Sequence, residues 1–197
     1  MPSYWDRLAQ PYTQIGEAGF WLKHRLRITE GLSGRILEVC CGGGRLVLEL
    51  LQRDIDAYGI DLSPKMVGQA KTELAQAGFD SARIARADVL RLPFADATFD
   101  AVISTGAIAL FGPEAQRAAI SELSRVARRE VRLLESFEQR KGLYGGRILA
   151  FMFDGMRPIS PEVFQTCGLA CTKVWNVLGG AFSYIRCQKR LDNEVAH

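Results

Sequence analysis

The chain reads as an α/β domain: a mostly parallel sheet with helices on both faces and an antiparallel hairpin near its C-terminal end. Three observations predict this. Short apolar strands alternate with helical stretches between residues 34 and 136, the rhythm of successive βαβ units. The first strand runs into Gly42-Gly43-Gly44, where the missing Cβ atoms let the backbone approach a ligand closely. Beyond residue 160 the rhythm gives way to two strands across Gly179-Gly180, a hairpin signal.

The elements follow in order. In residues 1–33, Tyr4, Trp5, Leu8, Tyr12, Ile15, Phe20, Trp21 and Leu22 recur at helical spacing, interrupted by Pro11 and Gly16. They predict two amphipathic helices packed as a cap on the domain edge. Ile36, Leu37 and Val39 form a strand buried on both faces, and Arg45 to Leu51 resumes as a helix. Asp54 to Ile60 is a second strand, ending at Asp61. Ser63 and Pro64 have the chemistry of an N-cap and a first helical residue. Their helix runs through Met66, Val67, Ala70 and Leu74 to a stop at Gly78. Ala82 to Ala87 is a third strand closing at Asp88, and residues 90–98 are a loop. Phe99 to Ser104 is the fourth strand, Pro113 to Arg128 a surface helix and Val131 to Ser136 the fifth strand. Ser160-Pro161 opens a short helix to Cys167. Cys171 to Leu178 and Ala181 to Cys187 are the two arms of the hairpin.

The 197 residues fit one domain, 1–197, with residues 1–33 as its helical cap and 138–160 as an insertion. A hydrophobic content of 48% with 24% charged residues is that of an ordinary soluble globular protein. A net charge of +3 makes the molecule no general attractor of nucleic acid or membrane, so no nucleic-acid partner is expected. The arginines at 125, 128, 129 and 132 read as a solvated face. No signal sequence and no membrane-length apolar run is evident, so a cytoplasmic location is expected. The five cysteines are an odd number without C-x-x-C spacing. They are expected as buried free thiols, not a disulfide framework or zinc ribbon. With only His24 and His197 available, no metal site is expected.

Three acids fall at successive strand ends: Glu38, Asp61 and Asp88. In an open α/β sheet, ligands bind outside the carboxyl ends of the strands. One such acid often only caps a helix or faces solvent; three in a row beside a glycine turn point to a ligand. Asp61 lies about 20 residues after that turn, where a carboxylate meets the ribose hydroxyls of adenosine-type ligands. Asp88 is placed to accept from an exocyclic adenine amine, with the Val89 N–H facing a ring nitrogen. Val47 stands where the dinucleotide fingerprint requires its third glycine, which disfavours NAD, and no Gly-Lys-Ser/Thr of a P-loop follows.

Residues 36–45, Ile-Leu-Glu-Val-Cys-Cys-Gly-Gly-Gly-Arg, resemble motif I of the class I S-adenosylmethionine (SAM)-dependent methyltransferases. Residues 58–66, Tyr-Gly-Ile-Asp-Leu-Ser-Pro-Lys-Met, resemble their second motif. Residues 87–102 resemble the third, in the form found in the ubiquinone/menaquinone-biosynthesis-like branch. The likeness covers about residues 34–136 and, in layout, the final hairpin. It implies a Rossmann-like seven-stranded sheet, SAM as cofactor and methyl transfer by direct displacement. By position, Glu38, Cys40 and Gly42, Gly43 and Gly44 would flank the methionine moiety. Asp61, with Leu62 and Met66 beside it, would hold the ribose side. Asp88 and Val89 would take the adenine, and Ser104, Thr105 and the residues up to Ala107 would lie under the methyl-bearing sulfonium. Cys40 departs from the family's first motif glycine, so the turn must tolerate a Cβ there, and Ala127-Arg-Arg-Glu130 replaces its usual Gly-Gly before strand five.

A sulfonium already carries an activated methyl, so the protein's task is alignment. A general base is needed only where the acceptor must lose a proton, and Tyr4, Tyr12, Glu17 and His24 are the weak candidates; for His24, packing or exposure is the plainer reading. The acceptor is expected to be a small molecule or lipid-like. The apolar span 141–157, rich in Phe, Met, Leu and Tyr with Arg140, Lys141, Arg147 and Arg157 at hand, is a lid or dimer surface, or else an acceptor channel near a membrane surface. A SAM-binding sensor or assembly protein without methyl transfer is the alternative function.

Overall fold

The computed structural model describes residues 19–137, 157–177 and 182–189. The expected first cap helix, the apolar span 141–156 and the Gly179-Gly180 turn lie outside these residues. The elements are α1 (Gly19–Arg27), β1 (Arg35–Val39), α2 (Arg45–Leu51), β2 (Asp56–Asp61), α3 (Pro64–Gln76), β3 (Ile84–Arg86) and β4 (Phe99–Thr105). They continue with α4 (Pro113–Val126), β5 (Ala127–Glu135), α5 (Glu162–Thr166), β6 (Leu169–Val177) and β7 (Phe182–Lys189). The seven strands lie in the order β3-β2-β1-β4-β5-β7-β6. β7 runs antiparallel to both β5 and β6, and the other pairings are parallel. This is the α/β, mostly parallel seven-stranded sheet with a C-terminal hairpin that the sequence predicts.

Apolar side chains make the central strands central. Ile36, Leu37, Val102, Ile103, Leu133 and Leu134 are fully buried in three adjacent strands, as a sheet covered on both faces requires. The Ser63 hydroxyl caps α3, accepting from the Met66 N–H at 3.3 Å, with Pro64 at the helix start. Gly78 ends that segment at φ +81°. At Gly59 in β2, an added Cβ would lie 2.8 Å from Cys41 Sγ and 2.9 Å from both Ile84 Cδ1 and Val47 Cγ2. Gly59→Ala is therefore expected to cost about 1–2 kcal/mol by overpacking, read as a lower urea midpoint at unchanged slope; an unaltered midpoint would show slack in this layer.

Some expectations are corrected. Residues 81–83 form a 3-10 turn capped by the Asp80 carboxylate, so β3 is only Ile84–Arg86. Helix α4 stops at Val126, and Ala127–Glu130 are the opening residues of β5, not a turn before it. Short helix α5 has Pro161 as its cap residue, with no side-chain bond from it. The basic cluster is only in part a solvated face: Arg128 and Arg129 are exposed and Arg125 partly so, whereas Arg132 is buried. Arg132 is 3% exposed and donates to the Ile28 and Glu30 carbonyls and to Glu130, tying the exit of α1 to β5. Arg125 is held by Glu122, Asp96 and the Leu92 and Phe94 carbonyls; Arg128 and Arg129 reach Asp100.

The cysteine expectation is corrected in part. Cys41 is a buried free thiol, and Cys40 and Cys167 are free and partly exposed. Cys171 and Cys187 form a disulfide. They are direct cross-strand neighbours in β6 and β7, and only the pairing register brings residues 16 apart in sequence face to face.

Helix α1 lies against the hairpin end of the sheet. Trp21 meets Phe182 edge-on at 4.8 Å between ring centres, and the Arg27 guanidinium sits 4.1 Å over the Trp175 ring. The hairpin thus holds α1 where its Arg25 reaches the end of β1. No helix of the described residues is long and apolar enough to cross a membrane.

Candidate cofactor site

The site forms where β1, β2, β3, β4 and β5 end. After Val39 the chain turns through three left-handed residues, Cys40 at φ +53°, Gly42 at +56° and Gly44 at +79°. Cys40 does occupy a conformation that L-residues avoid at a cost of about 1–2 kcal/mol. Gly44 cannot be replaced cheaply, because a Cβ there would come within 2.7 Å of Ala70 Cβ on α3. The turn is pinned from the next strand. Cys41 N–H donates to the Ile60 carbonyl at 2.9 Å, and Gly42 N–H donates to Asp61 Oδ2 at 3.0 Å. Asp61 Oδ1 accepts from the Ser63 N–H at 2.9 Å. One carboxylate therefore joins the glycine turn to the start of α3.

Glu38 is 1% exposed. Its Oε1 accepts from the Arg25 guanidinium at 2.8 Å and from the Thr105 hydroxyl at 3.3 Å. Its Oε2 is buried with no hydrogen-bond partner among the described residues. Burial pushes the Glu38 carboxyl above the usual carboxylate range, against the pull of Arg25 and Thr105. At the adjoining strand ends, Ser104 donates to Glu135 at 2.8 Å, and Asp88 accepts from the Leu90 N–H at 2.9 Å in an Asx turn. Burial, then the fields of Asp61, Glu135, Glu38 and Asp88, push the Cys40 thiol up.

The expected residues are largely brought together. Glu38, Thr105, the turn 40–44 and Asp61 form one connected cluster with Met66, which is buried at the start of α3. Val89 is 5% exposed. Leu62 and Leu90, beside Asp61 and Asp88, are large apolar side chains left exposed, at 37% and 39%. His24 lies on α1; burial lowers its imidazole, with Arg27 and Lys23 adding to the effect. Tyr4, Tyr12 and Glu17 lie outside the described residues. Sequence reading missed two residues, Arg25 and Glu135. Glu135 was open to the argument that found Glu38, Asp61 and Asp88, for it too is an acid at a strand end. Arg25 carried no local signal, being one of four basic residues, with Lys23, His24 and Arg27, on one short helix.

Residues 36–130 match a family model described as a methyltransferase domain. The chain is 34% identical over 112 residues to a phosphatidylethanolamine N-methyltransferase of Cereibacter sphaeroides, covering 55% of this chain and 54% of that one. It is 35% identical over 108 residues to a 2-phytyl-1,4-naphtoquinone methyltransferase of Trichormus variabilis, with 49% and 47% covered. It thus spans about half the length of these curated relatives. Among solved structures, the magnesium protoporphyrin IX methyltransferase of Synechocystis PCC 6803 with bound SAH superposes at a TM-score of 0.66 and 17% identity, over 92% of this chain and 83% of that one. The fold is that of an α/β domain with a seven-stranded, mostly parallel sheet. The family model and these relatives support a class I SAM-dependent methyltransferase, with SAM as its cofactor.

Proposed function

We propose that the chain transfers the methyl group of SAM to a small-molecule or lipid-like acceptor by direct displacement. The observation that carries this reading is the orphaned Glu38 Oε2, buried beside a left-handed glycine turn and the doubly bonded Asp61. A buried carboxylate oxygen without a donor costs free energy, and the methionine ammonium of SAM is a donor of the right charge. Arg25, across the same carboxylate, suits the methionine carboxylate. The Asp61 carboxylate, at the end of β2, suits the ribose hydroxyls. Leu62 and Leu90 offer an apolar border for the adenine, with Asp88 and Val89 at its edge.

SAM supplies a methyl on a positively charged sulfur; the protein supplies alignment and exclusion of water. Ser104, Thr105 and the turn to Ala107 face that work, held by Glu38 and Glu135. Transfer places the methyl on the acceptor and leaves S-adenosylhomocysteine (SAH) with the bonding pair on a neutral sulfur. Two relatives whose names give a phospholipid and a phytylated quinone support a lipid-like acceptor; the span 141–157 is the segment we assign to it, with peripheral membrane contact as its corollary.

Calorimetric titration of the chain with SAM, SAH and NAD tests the cofactor assignment. Micromolar binding of both sulfur nucleotides, with NAD silent, is the expected result. Methyl-labelled SAM offered with phosphatidylethanolamine vesicles or 2-phytyl-1,4-naphthoquinone then tests the acceptor class. Tight SAM binding without transfer to any acceptor tried would favour a sensor or assembly protein.

A further inference from the structure

We propose that Glu135 sets the charge preference of the cofactor cleft, its buried, cation-free carboxylate shifting the balance of binding from the neutral SAH towards the SAM sulfonium. The inference rests on the functional reading above and goes beyond it. Glu135 ends β5 and is 0% exposed. Its Oε1 accepts from the Ser104 hydroxyl at 2.8 Å, the Ala107 N–H at 2.9 Å and the Ile108 N–H at 3.1 Å. Its Oε2 accepts from the Ala109 N–H at 3.3 Å. Three of these partners can only donate and so favour the ionised carboxylate, against the upward push of burial on its carboxyl. Among the described residues no cation is paired with it, whereas Glu38, the other buried acid of the site, faces Arg25.

Backbone dipoles hold such a charge in place without cancelling it at a distance, and a field inside a low-dielectric site is poorly screened. Glu135 grips Ser104, near the end of β4, and residues 107–109 just after it; Ser104 and Ala107 belong to the stretch assigned to the space beneath the sulfonium. Glu135 is also one of the acids whose field pushes the Cys40 thiol up. SAM and SAH share every other group, so a charge placed here acts on their difference. A carboxylate that merely caps the 3-10 turn Ile108–Leu110 would support both ligands alike.

The test compares SAM and SAH affinities, by calorimetry, for the full chain and its Glu135→Gln variant. The variant is expected to lose about three- to tenfold more affinity for SAM than for SAH. Equal losses, or none, would overturn the proposal while leaving the SAM reading intact. A wild-type chain binding neither nucleotide overturns both. If Glu135→Gln does not fold, wild-type protein with carboxyl-labelled glutamate gives the reciprocal readout. The Glu135 carboxyl, separated from Glu38 by the spectrum of Glu38→Gln, should titrate lower in the SAM complex than in the SAH complex. The same midpoint in both complexes overturns the proposal.

Discussion

Replacing Asp61 with Asn is expected to weaken SAM and SAH binding together, each by about 1–3 kcal/mol, a factor of roughly 5 to 150. The two Asp61 oxygens each accept a backbone N–H, from Gly42 and from Ser63. An asparagine has one acceptor and one donating amide, so in either orientation its NH2 faces an N–H that can only donate. Either the glycine turn or the start of α3 must shift, and the ribose loses a charged acceptor. Both ligands carry the same ribose, so their ratio should stay constant, in contrast to Glu135→Gln. Calorimetry of the two ligands against the variant checks this. Unchanged affinity would mean that the ribose is not held at β2.

The strand-end acids and the glycine turn were legible because each depends on a local pattern: apolar run, acid, small or capping residue. Ser63 and Gly78 were legible for the same reason, since caps and left-handed stops are read within one turn of chain. The residues that were not legible act across distance. Arg132 looked like one more surface arginine until α1 returned over β5 and offered it the carbonyls of Ile28 and Glu30. Cys171 and Cys187 became partners only once β6 and β7 were in register. Arg25 reaches a strand 13 residues further on, and no helical periodicity announces an ion pair with a residue beyond the helix. Cys40 shows the reverse case: the sequence marked the position as one where the turn must tolerate a Cβ, and the backbone there is indeed left-handed.

The largest stability effect is expected at Arg25. Its guanidinium, with side-chain exposure of 10%, faces a Glu38 side chain that is fully buried. Removing one member of a buried pair leaves an uncompensated charge and costs about 3–5 kcal/mol, a large share of the roughly 5–15 kcal/mol typical of a domain. Arg25→Met is therefore expected to lose that amount at pH 7, and Arg25→Lys less, because it keeps the charge. The sign of the pH dependence follows from Glu38. Burial already raises its carboxyl, and Arg25 is the largest influence opposing that rise; without Arg25 the carboxyl rises further. A carboxyl raised in the folded state favours the fold when protonated. That contribution is complete below the unfolded value of about 4.3 and is lost as pH rises through the folded value. The deficit of Arg25→Met relative to wild type should thus narrow as pH is lowered from 7 towards 5, since protonation removes the stranded charge. Urea unfolding of both proteins at several pH values measures this directly. A deficit of equal size at every pH would show that Arg25 acts through packing on α1 and not through the charge of Glu38.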